Sequence, residues 1–405
     1  MKIKSQKLDN GLKIVCAETH GLNKASFTIL VKAGSVYENK NNNGIFHLIE
    51  HCVFGGSKKY SSGDDIERKL NDLNIIDNVT TDEEFTKYNF SFHAKDSLEV
   101  LDFLLEILLN SIFDSCNIKK EKEIISEEIK ADKNNNYTIF YSKANEILCK
   151  NTPLLFDSIG TKSSLDKLDK DNVTKIHEKY YVSNNIVVSY VGSFEFDKIL
   201  KKLEEYFLES KDTKLIKYPK FKLIQNKSNK RHLIKVSDNF NFISLSFPVN
   251  YSKKGDEDLA YLLKFILDEK LKKVLILKEK ISYDIKVNLI EFNNFGILDV
   301  NSSFSKINKE KVIKVLEKES SNLIITKEEM NDAKNKIFSI IDFTLDDPAD
   351  LSEYLAYNFS DGKLRTPEQE KKDLEKITLL KMNNFAKKVL VRNKGYLFLS
   401  DPLPL

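Results

Sequence analysis

The sequence predicts an α+β fold built from two tandem domains of similar structure. The chain has 405 residues, which is more than one typical hydrophobic core accommodates. Strand-like and helical patterns alternate along both halves, and residues 242–249 can be aligned with residues 26–33, each followed by a helical pattern. Two unrelated α+β domains would share such periodicity, so the pattern leaves open whether the second half is a repeat of the first.

Each element of the first half has its own local signal. Residues 24–34 alternate in polarity and end at Gly34, which is typical of a strand. Residues 44–54 have helical spacing and stop at a glycine-rich break, after which Ser62 or Asp64 can cap the next helix. Periodicity predicts further elements: a β region over 78–95, helices over 97–113 and 116–133, a strand over 184–194, helices over 195–207 and 257–271, and a closing strand over 395–402.

The division between the domains is predicted from a change in composition. Residues 210–230 are rich in lysine and carry the one proline between Pro153 and Pro248, so we interpret them as a linker. The predicted arrangement is therefore an N-terminal domain over 1–209, this linker, and a C-terminal domain over 231–405.

Composition excludes several classes of function. The net charge is +3 and basic residues alternate with acidic ones, so we expect no nucleic-acid partner. The longest apolar run, residues 101–113, is short and contains two charged residues, and the N-terminus lacks the apolar core of a signal peptide, so we expect no membrane association. The four cysteines have no metal-site or disulfide-framework spacing, which favours a reducing, cytoplasmic location.

The stretch GIFHLIEHCVFGG, residues 44–56, carries the strongest chemical signal. His47 and His51 are four residues apart and share one face of the predicted helix, with Glu50 beside them. Two neutral imidazoles in this arrangement can bind Zn²⁺, and an unbound carboxylate can take a proton from the attacking water. The spacing H-x-x-E-H is that of the inverted zinc-peptidase signature, while the alternative is an ordinary amphipathic helix with incidental histidines.

A catalytic zinc requires a third protein ligand, and a later helix offers candidates. Glu121 and Glu128 are two helical turns apart, so they share a face with the apolar Ile125 between them. Glu123 and Glu127 fall on other parts of the helix and are expected to be solvated. The alternative for any single glutamate in this charged segment is an exposed residue without a ligand role.

Taken together, these segments resemble the pitrilysin or insulinase family of zinc peptidases. Residues 34–62 are similar to the family's G-S-x-x-E, N-G-x-x-H-x-x-E-H and F-x-G-[ST] series. The segment NVTTDEEFTKY resembles the family's N-A-x-T-x-x-x-x-T-x-Y, and EKEIISEEIK resembles the helix that supplies the distal ligand. The resemblance implies two structurally similar α/β-sandwich domains, each an antiparallel sheet covered by helices.

The same resemblance implies roles for individual residues. His47, His51 and Glu128 would bind one Zn²⁺ per chain, and Glu50 would be the general base. Glu121 would be a supporting catalytic carboxylate that orients a ligand or the water. An edge strand containing Asn78, Val79 and Thr80 would bind the substrate peptide through its backbone.

The second half departs from the family pattern at its substrate-gripping Arg and Tyr. Lys278 stands where the Arg is expected, Tyr283 is the matching Tyr, and two residues are missing between them. Lysine cannot reproduce the planar fork of a guanidinium. This favours a dimer, either a homodimer or a heterodimer in which a related subunit supplies the Arg and Tyr.

The function expected from these observations is that of a cytoplasmic zinc metalloendopeptidase acting on peptides or unfolded precursor segments. The alternative is a non-proteolytic structural or assembly subunit, because the family also contains members that have lost catalysis. An intact set of His47, Glu50, His51 and Glu128 favours the peptidase.

Overall fold

The computed structural model describes residues 1–19, 21–207, 215–223, 231–236, 241–391 and 394–402, and most of the predicted linker lies outside them. The chain forms two compact units. The first comprises Met1–Ala131, Phe156–Phe221 and Asp342–Pro367, and the second comprises Asp132–Leu155, Lys222–Ile341 and Glu368–Leu405. Each unit thus includes a segment from the other half of the sequence, whereas the predicted domains over 1–209 and 231–405 were continuous.

The elements are as follows. The strands are β1 Lys2–Lys7, β2 Lys13–Glu18, β3 Lys24–Val31, β4 Ile76–Thr81, β5 Thr86–His93, β6 Ile186–Gly192, β7 Arg231–Val236, β8 Phe242–Asn250, β9 Ser282–Phe292, β10 Phe295–Phe304 and β11 Tyr396–Pro402. The helices are α1 Ile45–Cys52, α2 Gly63–Asp72, α3 Ser97–Leu109, α4 Ser115–Lys133, α5 Asn136–Leu148, α6 Lys162–Leu165, α7 Lys170–Tyr180, α8 Phe196–Tyr206, α9 Asp256–Lys272, α10 Lys309–Ser321, α11 Lys327–Asp346, α12 Pro348–Asn358, α13 Pro367–Glu375 and α14 Leu379–Val389.

Each unit contains one sheet covered by helices, which confirms the predicted fold class. The first sheet has the order β1-β2-β6-β3-β5-β4, and the second has the order β7-β11-β8-β10-β9. Each sheet is antiparallel except for one parallel pair, which is β2 with β6 in the first sheet and β11 with β7 in the second. A parallel pair requires a long crossover connection, and the helices between β2 and β6 provide it. None of the described helices is long and apolar enough to cross a bilayer.

The helix taken from the other half of the sequence covers a polar sheet face in the first unit. Thr28 on β3 shares a 2.7 Å hydrogen bond with Ser352 of α12, and Ser352 also donates to Ser26 over 3.1 Å. Asn89 on β5 donates to Thr28 over 2.9 Å and to the backbone oxygen of Ala349 over 3.0 Å. Buried polar groups require hydrogen-bond partners, and α12 supplies them to this sheet face through the Ser352 hydroxyl and the backbone oxygen of Ala349.

The two units repeat several details besides the order of their elements. Thr28 pairs with Asn89 across the first sheet, and Ser244 pairs with Asn301 at the corresponding position of the second. Both α1 and α9 follow a glycine in the left-handed conformation, Gly44 with φ 88° and Gly255 with φ 86°. Glycine adopts this conformation without the strain that a side chain would cause. The two helices therefore begin with the same backbone turn at equivalent glycines.

The second sheet differs from the first in burying a carboxyl group. Asp299 on β10 is buried, and one of its oxygens, Oδ1, has no hydrogen-bond partner among the described residues. Burial raises the pKa of Asp299 from its ordinary 3.8 to about 6, and a hydrogen bond from Ser246 opposes the shift only partly. The unfolded chain therefore ionises this group more readily than the folded chain, so its ionisation opposes folding as the pH rises.

We predict that Asp299→Asn stabilises the chain at neutral and alkaline pH. The amide removes the cost of ionising a buried carboxyl, which reaches about 2–3 kcal/mol above pH ~7 and nearly vanishes near pH ~4. Urea unfolding of the variant and the wild type across this pH range measures the difference. The exposed Asp332→Asn is the matched control, with no pH-dependent gain expected. A wild-type chain more stable than Asp299→Asn at pH 8 would contradict this account.

Candidate metal centre

Helix α1 begins at a buried carboxylate that lies before it in the sequence. Glu38 Oε2 accepts hydrogen bonds from Asn43 Nδ2 and from the backbone N–H of Gly44, both over 2.8 Å. Its Oε1 accepts from the backbone N–H of Phe46 over 3.1 Å. Asn43 Nδ2 also donates to the backbone oxygen of Asp157 over 2.7 Å. These contacts satisfy the first free N–H groups of α1 and set where the helix starts.

The apolar face of α1 then sets the direction of its histidines. Five residues of this helix belong to the core of the first unit: Ile45, Phe46, Leu48, Ile49 and Cys52. His47 and His51 retain 17% and 18% side-chain exposure, and their ring centroids lie 4.7 Å apart. The imidazoles are therefore neighbours at the edge of the core, where a ligand can still reach them.

Glu128 of α4 faces both imidazoles. Its Oε2 lies 3.9 Å from His47 Nε2, and its Oε1 lies 3.9 Å from His51 Nε2. These distances are too long for hydrogen bonds. They are close to the spacing of about 3.3 Å between two ligands of one tetrahedral zinc with bonds of about 2.0–2.1 Å. Atoms of His47, Glu50 and His51 that can bind a metal also lie within 4.8 Å of one another.

Glu121 lies on the same face of α4 as Glu128. It contacts His51 at Nδ1, the ring nitrogen that does not face Glu128. Its Oε2 lies 3.2 Å from His51 Nδ1, and its side chain is 14% exposed. A hydrogen bond from Nδ1 to the carboxylate places the imidazole proton on Nδ1 and leaves the lone pair of Nε2 free to bind a metal. Glu123 and Glu127 of the same helix are exposed, and Glu127 pairs with Lys130 over 2.6 Å.

The two imidazoles have opposite electrostatic environments. Burial, aided by the neighbouring His51, lowers the pKa of His47 to about 4, so His47 is neutral. Burial also disfavours charge on His51, but the hydrogen bond that His51 Nδ1 donates to Glu121 and the charges of Glu50 and Glu128 outweigh it and raise the pKa of His51. Three carboxylates thus surround this pair of imidazoles, which is an environment that favours a bound cation.

Glu50 is buried on α1 and is held from the neighbouring strand. Its Oε2 accepts a hydrogen bond of 2.5 Å from Thr81 Oγ1, at the end of β4. Burial raises the pKa of Glu50, and the Thr81 hydroxyl opposes that shift. The carboxylate therefore lies beside the two imidazoles.

The predicted substrate strand forms an edge of the first sheet. Asn78, Val79 and Thr80 lie in β4 and pair on one side with Asn89, Tyr88 and Lys87 of β5. The other side of β4 has no strand neighbour among the described residues. Asn78 and Thr80 are exposed and Val79 is half-buried. Helix α1 packs against this strand, so the edge passes close to the histidine pair.

Lys278 and Tyr283 belong to the second unit. Lys278 ends a π-helical turn after α9 and is exposed. Tyr283 lies near the start of β9, which is the edge strand of its sheet, and its side chain is 73% exposed. The structure thus brings His47, Glu50, His51, Glu121 and Glu128 together in one unit and places these two residues in the other.

Two site residues have roles that sequence reasoning missed. Glu38 lies in the segment that resembles the family's G-S-x-x-E motif, but its hydrogen bonds to α1 depend on how the loop folds back. Thr81 directly follows the residues of the predicted substrate strand, and its contact with Glu50 depends on the register of the β4–β5 hairpin. An acidic residue six positions before the glycine that precedes a predicted helix is the one signal that the sequence carries for Glu38.

The fold and the donor set define a two-domain protein with one candidate metal centre among the residues that the structure describes. Comparison with known proteins agrees with the fold. Residues 13–161 match the insulinase family, peptidase family M16, and residues 167–337 match the peptidase M16 inactive domain. The chain belongs to this family.

Relatives match about half of the chain in sequence, and a solved structure matches nearly its whole length in fold. An uncharacterized zinc protease of Rickettsia bellii is 28% identical over 201 residues, 50% of this chain and 48% of that protein. The mitochondrial-processing peptidase subunit beta of Bos taurus is 28% identical over 206 residues, 51% of this chain and 42% of that protein. The match spans about half the length of these relatives. A protease from Helicobacter pylori has the same fold, with TM-score 0.87, 16% identity and coverage of 99% of both chains.

We predict that Glu121→Ala weakens zinc binding about 10- to 100-fold, because His51 loses the hydrogen bond that fixes its ring and its tautomer. Competition with a chelator of known zinc affinity measures the change. Glu123→Ala on the same helix is the matched control and should bind zinc as the wild type does. Equal zinc affinities for Glu121→Ala and the wild type would show that the 3.2 Å contact with His51 has no role in metal binding.

Proposed function

We propose that this protein is a zinc metalloendopeptidase that hydrolyses peptides or unfolded precursor segments. The observation that supports this most directly is the position of Glu128, 3.9 Å from the Nε2 atoms of both His47 and His51. The names of its relatives, which include a zinc protease and a processing peptidase, point to the same chemistry.

The donor set fits zinc. Two imidazole nitrogens and one carboxylate are a ligand combination typical of catalytic zinc, which takes three protein ligands and leaves a position for water. His47, His51 and Glu128 would hold one ion per chain. His47 Nδ1 is buried without a partner among the described residues, and Nε2 is the ring nitrogen that faces Glu128, so a metal would bind His47 through Nε2. Zinc bound there would act as a Lewis acid and lower the pKa of its water toward ~7.

The chain's own residues supply the remaining steps. Glu50 takes a proton from the attacking water as the water oxygen bonds to the scissile carbonyl carbon. The same carboxyl group then returns the proton to the leaving amine as the carbon–nitrogen bond breaks. Glu121 keeps the His51 ring oriented throughout.

The substrate binds to the edge of β4 in this proposal. Backbone groups on the open side of Asn78, Val79 and Thr80 can pair with an extended peptide as an additional strand. Such pairing depends on hydrogen bonds to the substrate backbone and tolerates many side chains, which suits an endopeptidase acting on unfolded segments. A folded substrate would have to unfold locally to present an extended segment.

A partner subunit completes the proposed enzyme. Lys278 cannot grip a carbonyl oxygen with the paired N–H groups of an arginine, so an Arg and Tyr from a second chain would supply this function, in a homodimer or a heterodimer. One relative is named a subunit, which agrees with paired assembly. We place the enzyme in the cytoplasm because Cys16, Cys52 and Cys116 are free thiols.

A non-proteolytic assembly subunit is the second candidate. The observation in its favour is the match of residues 167–337 to a domain described as inactive, together with Lys278 in place of the expected Arg. A scaffold has no requirement for a buried general base beside two imidazoles, so the arrangement around Glu50 favours the peptidase.

We predict that Glu50→Gln retains zinc and loses peptide cleavage by a factor of about 10²–10⁴, because the amide cannot accept the proton of the attacking water. Cleavage of a mixed peptide library is followed by mass spectrometry, using the full chain with any partner that co-purifies, and zinc is measured in the same samples. Glu123→Gln is the control with unchanged turnover. Equal turnover for Glu50→Gln and the wild type would overturn the proposed function.

A further inference from the structure

Thr81 occupies a position that links the strand edge to the general base. It is the last residue of β4, and its hydroxyl reaches Glu50 Oε2 over 2.5 Å. Among the described residues, Thr81 is the one hydrogen-bond partner of the Glu50 carboxylate. Since a hydroxyl has a single proton, that proton is committed to Glu50, and Oε1 of Glu50 stays available.

The Glu50 carboxylate lies closer to the Thr81 hydroxyl than the other side-chain acceptor beside it, Thr86. Thr86, on the opposite strand, lies 3.4 Å away and donates its own proton to the backbone oxygen of Ala33 over 2.8 Å. Thr86 can therefore accept a hydrogen bond but cannot donate one to Thr81. The short contact with a carboxylate therefore favours donation from Thr81 to Glu50 over donation to Thr86.

The backbone that carries Thr81 is held from both directions. Asp82 Oδ1 accepts from the N–H groups of Glu84 and Phe85 over 2.7 and 2.6 Å, which closes the β4–β5 turn. Tyr357 of α12 donates to Asp82 Oδ2 over 3.3 Å. On the other side, the N–H of Ser35 donates to the backbone oxygen of Asp82 over 3.2 Å. A donor on such a turn is positioned before substrate arrives.

We propose that Thr81 is a positioning residue that orients Glu50, so that Oε2 is occupied and Oε1 faces the attacking water. The inference rests on the proposed peptidase function and adds that the substrate-binding strand also orients the general base. Thr81 belongs to the same strand whose edge binds the substrate backbone, so a peptide seated on β4 and the base that serves it share one rigid support. No bond to Thr81 forms or breaks, and the proton moves from water to Glu50 Oε1 and then to the leaving amine.

The test compares Thr81→Val with Thr81→Ser in the full chain. Valine keeps the shape and strand preference of threonine without the hydroxyl, whereas serine keeps the hydroxyl. We expect Thr81→Val to lower kcat about 10- to 100-fold, with KM and bound zinc unchanged, and Thr81→Ser to restore kcat to within a few-fold of the wild type. Thr174→Val on α7 of the same unit is the control for the substitution itself.

A crystal structure of zinc-loaded Thr81→Val tests the orientation without turnover. The Glu50 carboxylate should leave its wild-type position or occupy several conformers. Glu50 in its original conformation, or a Thr81→Val enzyme with wild-type kcat, would overturn the inference and leave the peptidase intact. A wild-type chain that binds zinc and cleaves nothing, alone or with its partner, would instead contradict the proposed function, and the position of Glu50 would still decide the role of Thr81.

Discussion

The hydrogen bonds between the Glu38 carboxylate and the first turn of α1 support the rest of the candidate site. A helix that begins inside a core has N–H groups without intrahelical partners, and leaving them unpaired would cost several kcal/mol. Gly44 has no side chain to cap the helix, so the acceptor comes from the preceding loop. Burial raises the pKa of Glu38 to about 7, while donors from Asn43, Gly44 and Phe46 favour its charged form. This acceptor and the apolar face of α1 together set the helical phase that turns His47, Glu50 and His51 to one side.

Two other elements meet α1 at this side, and they bring complementary chemistry. Helix α4 contributes two glutamates that face the two ring nitrogens of His51, Glu121 at Nδ1 and Glu128 at Nε2. The β4–β5 hairpin contributes the Thr81 hydroxyl to Glu50. The result is a partly buried group of carboxylates and imidazoles whose negative charge a divalent cation would balance. Charge balance and ligand geometry thus favour the same occupant.

The local parts of this arrangement were predictable from sequence. The spacing of His47, Glu50 and His51 and that of Glu121 and Glu128 depend only on helical periodicity, and observed helices α1 and α4 match the expected ranges within a few residues. The exchange of α5 and α12 between the units was not predictable, because an amphipathic pattern does not specify which sheet it covers. Ser352 illustrates the difficulty: its partners Thr28 and Ser26 are more than three hundred residues away in sequence. Thr81 and Glu38 likewise act through tertiary contacts that leave no local signature.

The central claim is that His47, His51 and Glu128 bind one zinc ion, and X-ray absorption at the zinc edge of the zinc-loaded chain tests it most directly. The account predicts one zinc per chain, coordinated by two imidazole nitrogens and otherwise by oxygen, at about 2.0–2.2 Å. Replacing His47 by alanine should remove one imidazole contribution from the spectrum. Sulfur coordination at about 2.3 Å, or a spectrum unchanged in the His47→Ala chain, would contradict the account.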